Sequence, residues 1–460
     1  MAILYRSEQM NLVSFSIKTK GMHNFIRRLW TVFARFGFTE GRTRRSLYSI
    51  MDALSSYKGS PTFFIPAIVL QRHPRLIAEL AENGAEIGIH GYIHNDYRAL
   101  NRDEQYHHVR RAIEVFESVP LVFQGFRNPY LGWTEETLDV FTELDLTYDS
   151  NEAVIHDVID RSRFTPTLLD GLEKSLALFQ AIPPGTYALR PHFEGNLLRI
   201  PTSIPDDEML FDRLRVTNAH ELGEIWCRVM QNVYDYGGIY ALNLHPERGV
   251  LCRRPLDMLL RYAAELPGGV WLARLDEVAQ WWRERSRFSI QITPRGSHFW
   301  QIEATCTPRA TLRARNISVD YQLPTVGREL TCKPRCIVQS SKCPCIGLSL
   351  RTPRSVSHFL QEEGYPTHYC AQEQAEQYAL YLDMPEGMGA SRHELRSIGC
   401  ELIQRIEQSD APLLYFGAWP NNCRAALAIS GDIDSITIQD FFLRILEVHQ
   451  QKRVHEQSAV

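Results

Sequence analysis

His90 and His94 stand four residues apart in Glu86-Ile87-Gly88-Ile89-His90-Gly91-Tyr92-Ile93-His94-Asn95-Asp96. Neutral imidazole is the commonest metal ligand among side chains. If the chain turns helically after Ile89, this spacing puts both rings on one face, where they can converge on one ion. The spacing alone is weak evidence, because imidazole pairs four apart also sit on surfaces or satisfy one another. A second candidate group is Cys332, Cys336, Cys343 and Cys345. Four thiols can hold zinc, but these intervals depart from the usual paired knuckles and fit simple thiols better.

The elements around the histidines are those of an α/β protein. Ile87 and Ile89, split by Gly88, alternate as a short buried strand does. Thr62-Phe63-Phe64-Ile65 reads as a strand from its aromatic and β-branched content. Pro74 to Glu82 is expected to be a helix with Gly84 as its stop. Helices over Glu104 to Glu117 and Glu135 to Leu144 alternate with strands over Val122 to Phe126 and Leu146 to Tyr148. Upstream, Ile26, Leu29, Trp30, Phe33 and Phe36 recur at helical spacing, and Ser46 to Tyr57 reads as a second helix. After a polar, proline-containing stretch around 155–195 the alternation resumes. Strands are expected at Leu197 to Ile200, Ile239 to Leu244 and Val270 to Leu272, and helices at Leu222 to Tyr236, Leu256 to Leu266 and Leu275 to Trp282. Such alternation predicts parallel strands with helical cover, as a sheet or a barrel. From Arg283 the texture changes to strands without intervening helices, followed by a small βαβ-like piece over Cys345 to Cys370 and a helix over Arg392 to Glu407.

The bulk numbers bound the rest. The chain has 460 residues, 44% hydrophobic and 23% charged, ordinary for a soluble globular protein of two or three domains. A net charge of −4 with the signs interspersed gives no reason to invoke nucleic acid. No apolar run reaches the length of a membrane span, and the first residues lack a basic-then-apolar secretory pattern. Ten cysteines, none before Cys227, therefore read as reduced thiols, and a cytoplasmic location is expected.

Taken together, Thr62-Phe63-Phe64, Glu86 to His94, Gly125-Phe126-Arg127-Asn128-Pro129-Tyr130, Tyr148-Asp149-Ser150 and Leu242-Asn243-Leu244-His245 resemble the polysaccharide deacetylase (NodB-homology) family of carbohydrate esterases. The resemblance covers about residues 45–282 in the family's order. It implies an irregular, incomplete (β/α) barrel and removal of acetyl groups from N-acetyl sugars. It also implies a divalent metal, commonly zinc, held by one Asp and two His. The family's first motif, an Asp pair ending the first strand, is missing before Thr62. Arg424-Ala425-Ala426-Leu427-Ala428-Ile429-Ser430-Gly431-Asp432-Ile433-Asp434 looks like that motif at the other end of the chain. A circularly permuted barrel is therefore expected, its first strand supplied by the C-terminus and Met1 near Val460. The plain alternative is a Gly-Asp turn after an ordinary strand.

By this resemblance Asp434, His90 and His94 would bind the metal and Asp432 would be the general base. Arg127 would pair with Asp432 and keep it ionised, the backbone N–H of Tyr130 would help hold the oxyanion, and His245 would protonate the leaving amine. Asp206 or Asp207 is a weak candidate for the carboxylate behind His245, and Trp133 and Tyr92 are candidates for the sugar groove. The expected division is a deacetylase-like barrel over 1–284, a smaller α+β accessory domain over 285–420, and a strand and helix over 421–460 that complete the barrel. Two other readings stand beside deacetylation: hydrolysis of another carbon–nitrogen amide on the same fold, and a glycan-binding protein without turnover. The sequence does not select the glycan or the oligomeric state.

Overall fold

The computed structural model describes residues 35–319, 329–384 and 392–458. The helical pattern over residues 26–33, and the expected closeness of the two termini, lie outside the described residues.

Eleven strands form one mainly parallel sheet. Ten come in chain order: β1 (Thr62–Ile65), β2 (Glu86–Ile89), β3 (Gly125–Phe126), β4 (Tyr148–Asp149), β5 (Ala153–Ile155), β6 (His192–Glu194), β7 (Leu197–Arg199), β8 (Thr202–Ile204), β9 (Ile239–Leu244) and β10 (Val270–Leu272). The eleventh is the C-terminal strand, Ala425–Asp432, which lies between β9 and β1 and is parallel to both. Its Asp432 is in register with Phe64 of β1, and its Gly431 with Leu244 of β9. β4 and β5 are halves of one extended stretch, as are β7 and β8. The N–H groups of Ile200 and Thr202 donate to the carbonyls of Asp149 and Glu152 across the two stretches. Both ends of the sheet path are thus tied through 197–204, and the sheet curls back on itself as an irregular (β/α) barrel.

All eight residues of the C-terminal strand are buried, as a parallel strand covered on both faces requires. Ala425, Leu427 and Ile429 pack with the outer helices, while Ala426 and Ala428 face the interior beside Phe64, Tyr148 and Ile239. Burying side chains such as Leu427 and Ile429 contributes about 1.5–3 kcal/mol each. The strand is therefore a structural member of the barrel, not an appendage. The helix Leu275–Arg285 closes the N-terminal ends of the strands, with Leu275 N–H donating to Thr62 Oγ1 at 2.9 Å.

Several boundaries differ from the sequence expectation. The helix expected from Ser46 begins at Gly41, and that expected from Leu256 begins at Gly249 and carries Pro255 inside it. The strand over Val122 to Phe126 is reduced to Gly125–Phe126. Inside the polar stretch lies an unanticipated helix, Pro166–Leu178, with Pro166 in its first turn.

Between Ser289 and Phe416 the strands form three smaller sheets. Two are antiparallel. One contains Ser289–Pro294, Phe299–Thr305, Arg335–Gln339 and Ser318–Val319, and the other contains Glu329–Cys332, Leu312–Arg315 and Leu413–Phe416. The third is parallel, with Cys343–Ser349 between Thr367–Cys370 and Tyr378–Leu382. Its first crossover is the helix Arg354–Glu362, the helical part of the βαβ-like piece expected over Cys345 to Cys370. Ile346, Leu348, Leu360, Leu402 and Ile406 form its core. The four candidate zinc cysteines separate onto three strands. Cys343 and Cys345 lie 3.4 Å apart on one of them. Among the described residues, no metal-ligating group of three or more contains a cysteine.

Candidate metal and catalytic site

The residues singled out by the sequence meet at the C-terminal ends of the strands. β2 delivers His90 to that end. Gly88 within β2 lets the strands approach, since a Cβ there would stand 2.6 Å from the Phe64 ring. The chain does not continue helically. It turns at Gly91, whose φ of +80° strains any residue with a Cβ, and bends through residues 92–94. The histidines converge through this turn, not through a helical face.

The His90 and His94 rings lie 5.3 Å apart, centroid to centroid. Asp434, two residues past the C-terminal strand, places Oδ1 3.4 Å from His90 Nε2 and 3.3 Å from His94 Nε2. The three potential ligand atoms lie within 4.8 Å of one another. Asp434 Oδ1 is buried and accepts no hydrogen bond. His90 Nδ1 donates to the Arg127 carbonyl at 2.8 Å, which leaves Nε2 as the nitrogen facing the aspartate. Burial pushes the His94 imidazolium down and so favours the neutral ring. Burial also pushes the Asp434 carboxyl up, but the neighbouring His94 and Arg444 outweigh it and hold it well below the usual range. Two imidazoles and one carboxylate, converging on a shared point with an unsatisfied buried oxygen, fit a divalent cation such as zinc.

Asp432 ends the C-terminal strand beside this group. It accepts from Arg127 Nη1 at 3.0 Å and from Asn243 Nδ2 at 2.8 Å. Arg127 is fully buried, and its guanidinium also donates to Asn243 Oδ1, Ser430 Oγ, Ser150 O and Ser150 Oγ at 2.8–3.1 Å. Its far face lies over the Phe64 ring, 4.4 Å from the centroid. Burial would raise the Asp432 carboxyl, but Arg127, His90 and His245 together hold it below its ordinary value. Asp432 is thus a buried, ionised and oriented carboxylate.

His245 follows β9. Its Nδ1 and its backbone N–H are bound to the Asp207 carboxylate at 2.6 and 2.8 Å, so Nε2 is the nitrogen left to face the cleft. Burial lowers the imidazolium, yet Asp207 outweighs it and raises the pKa well above the usual value. Asp206, the other candidate, instead accepts from the Met209 N–H at 2.8 Å. Its carboxyl is pushed up to about 7 by burial against the pull of His245.

Tyr130 sits at φ +60°, with its partly exposed ring edge-on to His94 at 4.7 Å. The Arg199 guanidinium lies 4.0 Å above the Trp133 ring. Tyr92 packs against His108 and Arg111 on the outer helix Arg102–Glu117. The sequence reasoning assigned no role to Asn243, Ser430 or Arg444. Asn243 and Ser430 carry a readable signal, since each is polar inside an otherwise apolar strand.

Buried carboxylates, a paired guanidinium and histidines thus gather at the C-terminal end of a mainly parallel barrel, the end where such folds carry their sites. Residues 38–148 match the polysaccharide deacetylase family. A peptidoglycan deacetylase-like protein of Gibberella zeae, FGM2, is 29% identical over 94 residues, which is 20% of this chain and 27% of that protein. The chain thus spans about a quarter of the length of that curated relative. Among solved structures, one of a polysaccharide deacetylase from Mycobacterium smegmatis is 20% identical. It covers 58% of this chain and 82% of its own, with a TM-score of 0.40. The peptidoglycan deacetylase PdaC of Bacillus subtilis is 18% identical over 52% of this chain and 87% of its own, with a TM-score of 0.30. No helix among the described residues is long and apolar enough to cross a membrane.

Proposed function

We propose that the protein is a metal-dependent hydrolase that removes N-acetyl groups from a saccharide. The observation that carries this reading is the meeting of His90 and His94 with Asp434, beside the Arg127–Asp432 pair, from opposite ends of the chain. His90, His94 and Asp434 would hold a divalent cation, most simply zinc. When bound, such a cation supplies Lewis-acid chemistry by polarising the amide carbonyl. Asp432, held ionised by Arg127 and Asn243, takes a proton from the attacking water. His245, protonated through Asp207, gives the proton on Nε2 to the departing nitrogen. Water and amide become acetate and a free amine, and the proton balance closes between Asp432 and His245. Tyr130 borders this reaction space through its contact with His94. The same reading makes the chain a circular permutation of the family's order, with residues 285–420 inserted before the strand that carries Asp432.

The test is acetate release from N-acetylglucosamine oligomers by the zinc-loaded full chain. Wild type is expected to release acetate, and Asp432→Asn to retain zinc while losing about 10²–10⁴ in rate. Release by the wild type from small amides, but from no saccharide, would replace deacetylation with general amide hydrolysis. Unchanged turnover in Asp432→Asn would remove Asp432 as the base.

A further inference from the structure

Arg444 donates from Nη1 to Asp434 Oδ2 at 2.6 Å. Oδ1 is therefore the oxygen that faces both histidines. The helix that carries Arg444, Ile438–Ser458, is anchored on the same side. Asp440 Oδ2 bonds His73 Nε2 at 2.8 Å and accepts from the Thr437 N–H and hydroxyl at 2.9 and 2.8 Å. Arg72 lies 3.5 Å from Asp440 Oδ1 and also bonds Glu447. Asp440, Arg444 and Glu447 follow the i, i+4, i+7 spacing of one helix face. That face is pinned above and below Arg444 through Asp440 and Glu447, both held by Arg72 and the first also by His73, so the guanidinium is delivered by a fixed element. One of its bonds goes to Asp434, and its face lies 5.3 Å from the Phe441 ring.

We infer that Arg444 is a positioning residue for the cation site: it holds Asp434 so that a single oxygen points at the ion. This rests on the proposed metal reading. A free carboxylate can rotate or swing to offer either oxygen, and each alternative pose dilutes the ligating one. A donor fixed on the second oxygen removes those poses, and such partners of ligating groups are typically worth about 10–100-fold in metal affinity. The guanidinium charge acts in the opposite sense, because it repels a cation. Removing Arg444 therefore separates the two effects by sign: loss of orientation weakens binding, whereas loss of repulsion tightens it.

The experiment measures zinc affinity of the metal-free full chain by competition with a chromophoric chelator. Arg444→Met, Arg444→Gln and Arg444→Lys are compared with wild type, and the melting temperature of each metal-free protein is recorded. The expected result is a loss of about 10–100-fold in Arg444→Met, with partial recovery in Gln and Lys, which retain a donor. Metal-free melting temperatures should stay close to wild type. Unchanged or tighter zinc binding by Arg444→Met overturns the inference, as does equal loss in all three variants. If Arg444→Met does not fold, Gln against Lys decides: affinity well below wild type in both overturns it, and near-wild-type affinity in either supports it. Wild type that binds no zinc overturns the site reading itself, a result distinct from the others.

Discussion

Glu86 opens β2 and His90 follows its last residue, so one four-residue strand joins two buried polar clusters of opposite character. At the lower end, Glu86 accepts from the Tyr148 hydroxyl at 2.5 Å, Thr62 Oγ1 at 2.7 Å and the Asp276 N–H at 2.9 Å. Burial, reinforced by Asp276, pushes its carboxyl up to about 8. At the upper end, Asp432 is equally removed from water, yet Arg127, with His90 and His245, outweighs burial and keeps it ionised. The two ends differ in whether a guanidinium is hydrogen-bonded to the acid. Without one, a buried acid becomes a neutral link between the strands and the closing helix. With one, it becomes a base. Between these two acids, equally deep, the difference in ionisation follows the partner.

The comparison breaks most visibly at Arg127. Arg127→Met strands Asp432, Asn243 and two serines in the interior, so the protein is expected to lose about 3–5 kcal/mol of stability, read by urea unfolding. A loss below about 1 kcal/mol would show that the upper cluster does not depend on its cation. Asp207→Asn is a smaller change. It removes the carboxylate that raises His245, and the alkaline limb of the rate–pH profile should move to lower pH by at least about one unit, ~1.4 kcal/mol. An unmoved limb would mean that His245 is not the acid.

The smallest effect belongs to Glu86. Its folded pKa lies above the ordinary 4.5, so between those two values the folded state binds more protons than the unfolded one. Stability must therefore fall as pH rises from about 5 to about 8. Glu86→Gln keeps the acceptor geometry without the charge. It is expected to flatten that slope and change stability near pH 6 by less than about 1 kcal/mol. A slope unchanged by the substitution would assign the pH dependence to other groups, Glu362 and Asp206 among them, since burial also raises both of these to about 7.

The strands that build the barrel were legible because their runs are short, mostly apolar and rich in β-branched or aromatic residues: β1, β9 and β10 match their expected limits. His90 was legible for the same reason, as the first polar residue after β2. The Gly91 turn was not, because four-residue spacing fits a helix equally well. Asp432 and Asp434 were legible only through the resemblance, since nothing local separates a ligand from a turn in Gly-Asp. Asp207 stands among three consecutive acids, and the sequence alone does not say which of them meets His245. Arg444 was invisible in principle. A charged residue in an amphipathic helix reads as solvated, and only the tertiary placement of that helix turns it toward Asp434.

The measurement that tests the central claim most directly is the metal content of the purified chain, wild type beside His90→Ala and Asp434→Ala. A shared site predicts about one zinc-like ion per chain in the wild type and loss of it in both variants. Metal retained in Asp434→Ala but lost in His90→Ala would contradict it, because the two ends of the chain would then not hold one ion between them.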